Sequence, residues 1–375
     1  MGGSIIIQDG LVIDPETATI EKKDVGILNG VFAPIEEVRN LAGDMIKYID
    51  ASGYYIAPGF IDLHAHIFKE YTDLGIEADL VGVKQGVTTI VDAGSSGYDN
   101  YHLFKETIIE KSQTEILSFL NISRNGLCNG LSELANLEDL MTLEEGIEIF
   151  HQEGSVVGLK ARMSKSVVKD SGIKPLEHAR NLANELQVPI MVHIGNPPPN
   201  LQEIFPLLQE GDIVTHAFHG KKHGVINETG DMLPEAVDAL NRGVRFDVGH
   251  GTSSFSYKKM KMMKEHYDFS FTISTDIYNR NYLHPVGSLM ITMTKLLALG
   301  YSLTEVVKAV TIQAAETLNL VEQGTFRQGT RADVTIFGLE ENDTPLIDSE
   351  GEELVYDQVL KPYITLRNGK VAYMK

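Results

Sequence analysis

The sequence predicts an α/β protein, a (β/α)8 TIM barrel with a small β-sandwich domain that the N- and C-terminal segments build together. Three observations carry this. Eight short apolar runs, "GFIDLHAH", "TTIVDAG", "ILSFLNIS", "VVGLKARMS", "PIMVHIGN", "DIVTHAFHG", "VRFDVGHG" and "FTISTD", alternate with amphipathic stretches such as "EEGIEIFHQEG" and "PLEHARNLANELQ". A parallel sheet with crossover helices requires that alternation. Both ends of the chain read instead as short strands and turns. Each apolar run also stops at a polar or turn cluster, which in a barrel is where reacting groups stand.

Taken in order, residues 4 to about 55 carry Asp-Gly and Asn-Gly turn signals and no helical period, which predicts a β region free of helices. The barrel pattern begins near residue 60. Past residue 300, "SLTEVVKAVTIQAAETL" reads as one helix, after which "GTRADVTIFGL" and "YITLRNGKVAYM" return to strands. The expected divisions are 1–56 for the first part of the β-sandwich, 57–322 for the barrel and 323–375 for the second part.

Charge narrows the partners. With 52 Asp plus Glu against 32 Lys plus Arg, the net charge of -20 repels nucleic acid and anionic membranes, so a small-molecule substrate is expected. A single cysteine, Cys128, cannot form an internal disulfide, and this points to a reducing cytoplasm. The start "MGGSIIIQDG" lacks the basic and apolar regions of an export signal.

The strand ends hold the candidate chemistry: His64 and His66 on the first, Lys160 on the fourth, His193 on the fifth, His216 on the sixth and Asp276 on the eighth. Residues two apart on a strand share a face, so His64 and His66 can enter the barrel mouth together, an arrangement that suits a divalent metal. Each residue alone has a plainer reading. The histidines could be hydrogen-bonded core residues, and Asp276 could cap a following helix. Lys160 is harder to explain, because it ends the apolar run "SVVGL", where an ammonium is costly to desolvate.

The order "PGFIDLHAH", a strand-4 lysine, "MVHIGN", "VTHAFHG" and "STD", with "GTFRQGTRADVTIF" near the end, resembles the amidohydrolase superfamily. The match is to its binuclear members with a carboxylated lysine, the dihydroorotase-like and deacetylase-like branch. The resemblance implies that His64 and His66 bind a first metal and His193 and His216 a second. It implies that Lys160, as N6-carboxylysine, bridges both metals, and that Asp276 ligates the first metal and shuttles the proton. The ions would be two divalent cations, Zn2+ first, with Mn2+ or Fe2+ also accepted by this donor set. A metal-bridged hydroxide would attack an amide or ester carbonyl. Family resemblance also leans towards a homo-oligomer.

Substrate contacts are expected from the loops. Arg162 could clamp a carboxylate or pair with a structural acid. In "HAFHGKKHGVINETG", His219, Lys221 and His223 could form an anionic subsite or a solvated loop. His250 sits between glycines in "FDVGHG", and Tyr278 follows the proposed base; both are candidate contacts. A dihydroorotase proper would carry an arginine after the first H-x-H, where this chain has Ile67, Phe68 and Lys69, and an adenine deaminase fits poorly. The expected reaction is hydrolysis of a small carboxylate-bearing N-acyl or O-acyl compound, or of a cyclic amide. A non-catalytic scaffold of the same fold is the reading from another class.

Overall fold

A computed structural model describes residues 3–375. Eight parallel strands form one sheet: β1 (Phe60–Ala65), β2 (Val87–Ala93), β3 (Glu115–Asn121), β4 (Val156–Met163), β5 (Ile190–Ile194), β6 (Ile213–Thr215), β7 (Arg245–Asp247) and β8 (Phe271–Thr272), each beside its neighbour in sequence. They fall on the eight apolar runs. The two edges meet just beyond β8, where Ala65 bridges Ile277, the Asp276 N–H donates to the His64 carbonyl at 2.6 Å and the His66 N–H to the Ile277 carbonyl at 2.9 Å.

Strand alternation fills the interior. Leu63, Val91, Ala93, Leu117, Phe119, Met191 and Ile213 form one buried cluster, closed at its far end by Ala314, Ala315 and Leu318. Gly158 belongs to the same inward column, since a Cβ there would stand 2.7 Å from the Phe119 ring. Continuing that alternation towards the strand ends brings Lys160 and Arg162 on β4, His193 on β5, Thr215 on β6 and Asp247 on β7 to the inside. The inward column thus changes from apolar filling to chemistry within one or two residues.

Both ends of the chain build the flanking sheets. One has four strands, in the order Val31–Phe32, Val25–Leu28, Ser4–Gln8 and Ile46–Asp50. The other has six, in the order Lys370–Met374, Gln358–Arg367, Val334–Glu341, Tyr55–Pro58, Leu11–Asp14 and Thr19–Lys22. Val334 pairs with Pro58 and Phe337 with Tyr55, antiparallel. Ile7, Val12, Ile27, Ile56, Ile336 and Ile364 share a core of their own.

Two details differ from the sequence expectation. The N-terminal region does contain a helix, Ile35–Ala42, which buries Val38 and Ala42 one turn apart; so short an element shows too few turns for a period to register. The stretch after residue 300 is two helices, Leu303–Ala309 and Ile312–Thr317. The Val310 carbonyl accepts the Ile61 N–H at 2.8 Å, so this backbone serves β1 and the helix breaks there.

Arg331 ties the sheets to the barrel. Its Nη1 donates to Glu115 Oε1 at 2.8 Å and its Nε to Asp333 Oδ2 at 2.7 Å, while Glu115 at the start of β3 also accepts from Thr89 and Gln323. Arg331→Met leaves two partly buried carboxylates without their cation, and chemical denaturation should show a loss of about 3 kcal/mol. Arg331→Lys should recover only part of this, because a point charge cannot reproduce the planar fork.

Candidate active site

His64, His66, Lys160, His193, His216 and Asp276 gather where the strands end. Asp276 Oδ1 lies 3.3 Å from His64 Nε2 and 3.2 Å from His66 Nε2, and Asp276 Oδ2 lies 3.9 Å from His216 Nε2. Lys160 Nζ is 3.4 Å from His64 Nε2, and the His193 and His216 rings are 4.4 Å apart between centroids. Donor atoms of His64, His66 and Asp276 all fall within 4.8 Å of one another, a spacing that could hold a metal ion.

The rings are aimed by bonds on their other nitrogens. Thr215 Oγ1 donates to Asp247 Oδ2 at 2.8 Å, so towards His64 Nδ1, 2.9 Å away, it acts as acceptor. His64 is therefore protonated on Nδ1, and its Nε2 lone pair is free. His216 Nδ1 donates to the Gly249 carbonyl at 2.6 Å, which leaves Nε2 buried with no hydrogen-bond partner among the described residues. His66 Nδ1 meets Ser95 Oγ at 3.0 Å, and Ser95 is fixed by its N–H to Asp92 Oδ1 at 2.7 Å. The orphaned lone pair of His216, facing a carboxylate, fits a divalent cation.

Asp276 takes a left-handed backbone, φ 48°. Its carbonyl accepts Asn281 Nδ2 at 2.8 Å, and Asn281 Oδ1 accepts the Tyr278 N–H at 2.8 Å, so this turn is clamped from both ends. Asp276 caps no helix: the next one, Leu289–Ala298, is capped by Ser288. Lys160 has its stem against Gly94, φ 83°, where a Cβ would lie 2.7 Å from Lys160 Cγ.

Burial sets the charges. It pulls the Lys160 amine down to about 7 although Asp276 opposes this, and it drives His64 and His193 well below the usual imidazole range and His216 to about 3. Burial pushes Asp276 up, but the hydrogen bond with His66 and the cation-forming side chains around it, Lys160 among them, outweigh it, so the carboxylate stays ionised. Neutral imidazoles, an uncharged fraction of lysine and an anionic aspartate are the forms that bind metal.

The expected substrate contacts divide. Arg162, on β4 beside His193, donates Nη1 to Glu133 at 3.0 and 3.2 Å. Tyr278 Oη meets Thr252 Oγ1 at 2.5 Å, and its ring lies 6.4 Å from that of His66. Lys221 is half-buried and feels the Asp276 charge. His223 is exposed, and His219 is buried with both ring nitrogens unpartnered among the described residues; neither bonds to the group above. His250 is buried, with Nε2 2.7 Å from Lys295 Nζ and Nδ1 2.8 Å from the Gly251 carbonyl. The sequence reading missed Asp62, Asp92, Asp247, Thr215, Asn281 and Glu133. Three of them carry a readable signal, an aspartate inside an apolar strand run.

Comparison with known proteins agrees with this geometry. The amidohydrolase family matches residues 55–372. A deacetylase of Enterococcus faecalis is 36% identical over 377 residues, covering 99% of each chain, and a deacetylase of Agrobacterium fabrum is 38% identical over 317 residues, covering 84% of this chain and 78% of its own. A crystal structure described as an adenine deaminase superposes with a TM-score of 0.90 at 35% identity over the whole of both chains. The fold and the site define a barrel hydrolase. The chain belongs to the amidohydrolase family, whose members use divalent metals, and it is a hydrolase acting on carbon–nitrogen bonds. Among the described residues no helix is long and apolar enough to cross a membrane.

Thr215→Val removes the acceptor that orients His64 and a donor to Asp247. Metal affinity, measured by competition with a chromogenic chelator, should fall by about 10- to 100-fold while the fold persists.

Proposed function

We propose that the chain hydrolyses the amide or ester bond of a small carboxylate-bearing N-acyl or O-acyl compound, or opens a cyclic amide, in a cytoplasmic setting. The observation that carries this is the set of imidazole Nε2 atoms turned, by bonds on Nδ1, towards one carboxylate beside a buried lysine amine. His64 and His66 would hold the first cation and His193 and His216 the second, and Lys160, as N6-carboxylysine, would supply a further anionic ligand; zinc is the first choice of ion. Two such cations, when bound, activate water at neutral pH and polarise the carbonyl under attack. Lys160 as a cation would repel them, whereas its neutral amine can add carbon dioxide and release a proton to the solvent, giving a carbamate with one negative charge shared over two oxygens.

The chain's own groups do the rest. Asp276, ionised and clamped by Asn281, accepts the proton of the attacking water and delivers it to the leaving atom. Arg162, with Nη1 spent on Glu133, keeps further N–H donors for a substrate carboxylate, and Lys221 adds positive charge at the same rim. The deacetylase names of the two relatives support acyl removal over deamination.

Protein purified without chelator should contain about two divalent ions per chain. Less than one, with no gain in hydrolysis on adding metal and bicarbonate, would overturn the binuclear reading. A panel of N-acetyl amino acids, acetylated hydroxy acids, cyclic ureides and adenine tests the substrate class, and Lys160→Ala should abolish turnover of any compound accepted. Arg162→Met combined with Glu133→Gln leaves no buried carboxylate unpaired; it should raise KM for carboxylate-bearing substrates by about 10- to 100-fold with kcat little changed.

A further inference from the structure

Lys295, on the helix Leu289–Ala298, is 1% exposed and forms no ion pair among the described residues. Its Nζ lies 2.7 Å from His250 Nε2 and 2.6 Å from the Pro285 carbonyl. Burial pulls this amine down to about 7, with Asp348 opposing. A lysine so desolvated has to be explained by what it holds, and what it holds is the His250 ring, whose other nitrogen is bound to the Gly251 carbonyl.

The same turn is gripped from the C-terminal segment. The short strands Leu346–Ile347 and Glu353–Leu354 form a hairpin, and Ser349 between them sets its Oγ 3.0 Å from the Gly251 carbonyl and 3.2 Å from the His250 carbonyl. The hairpin is itself anchored on the barrel. Asp348 Oδ2 accepts the Tyr257 N–H at 2.9 Å, Glu350 accepts Ser256 Oγ at 2.6 Å, and the Ser349 N–H donates to the Phe255 carbonyl at 3.0 Å.

What lies on the other side of the turn is Asp276. The Gly251 N–H donates to the Thr275 carbonyl at 2.9 Å, and a Cβ on Gly251, φ 53°, would stand 2.4 Å from Asp276 Oδ2. The Gly251 backbone is therefore the wall against which the carboxylate rests. Any shift of His250–Gly251 changes the direction of Oδ2.

We propose that Lys295 and Ser349 are positioning residues for Asp276, acting through the His250–Gly251 turn. The proposal rests on the reading of Asp276 as metal ligand and proton carrier. It gives the C-terminal hairpin a part in the chemistry of the barrel, since a residue outside the eight βα units sets the aim of the aspartate.

The test compares Lys295→Met, Ser349→Ala and Ser349→Thr. The first two should lower kcat by about tenfold or more with KM within about twofold of the parent, and Ser349→Thr, which keeps the hydroxyl, should restore the parent value. A rise in KM at unchanged kcat, or a Ser349→Ala protein kinetically equal to the parent, would overturn the proposal. If Lys295→Met does not fold, Ser349→Ala decides alone, since it removes one oxygen. Should the parent turn over none of the acyl panel, that result counts against the substrate reading only, and zinc affinity by chelator competition becomes the readout. Ser349→Ala should then weaken zinc binding in the same direction as Asp276→Asn, and an unchanged affinity would sink the positioning role.

Discussion

A carboxylate taken out of water must be surrounded by donors, and that requirement organises the catalytic end of this barrel. Asp62, Asp92 and Asp247 are all buried, and burial pushes each one up, Asp62 to about 7. Each collects donors from more than one element. Asp62 takes the Thr275 hydroxyl and N–H, Asp92 the N–H groups of Ile67 and Ser95, and Asp247 the hydroxyls of Thr215, Thr272 and Ser274. The strands are pinned to one another at the level where the histidines leave them. Thr215 and Ser95 then pass that rigidity on to the imidazoles.

Charge works on two scales here. The chain as a whole is strongly acidic, while Arg162 and Lys221 bring positive charge close to the His193 ring. An anion approaching over the surface meets repulsion, and one that reaches the mouth meets donors. Under the proposed function, that arrangement favours small, singly anionic molecules over polyanions.

Much of this was legible in the chain. The eight strands are short apolar runs with a period of two, and their ends carry the residue types that metals require, so both the barrel and the six gathered side chains could be read from "GFIDLHAH" to "STD". What escaped has a common cause. Thr215 and Glu133 act through bonds to residues distant in sequence, and Asn281 through a local turn, and a polar residue on a loop or strand end says nothing of its partner until the fold brings them together. Helix Ile35–Ala42 escaped because two buried positions are too few to show a period, and the break at Val310 because its carbonyl is claimed by a strand some 250 residues earlier. His250 reads as a candidate substrate contact from its flanking glycines; in the fold Gly251 lets the backbone approach Asp276, and Gly249 lets it approach Thr215 and His216.

The pairing of Tyr55–Pro58 with Val334–Glu341 also has a consequence for how the protein is made. The first three strands of the six-stranded sheet can pair with one another as they leave the ribosome, but Tyr55–Pro58 keeps one edge open until Val334–Glu341 is made, after the whole barrel. Closing that loop costs little in equilibrium stability but a great deal in waiting time. The newborn chain is therefore most exposed to aggregation at its N-terminal strands, and its dependence on chaperones should be concentrated there and not in the barrel, whose strands each pair with the one just made.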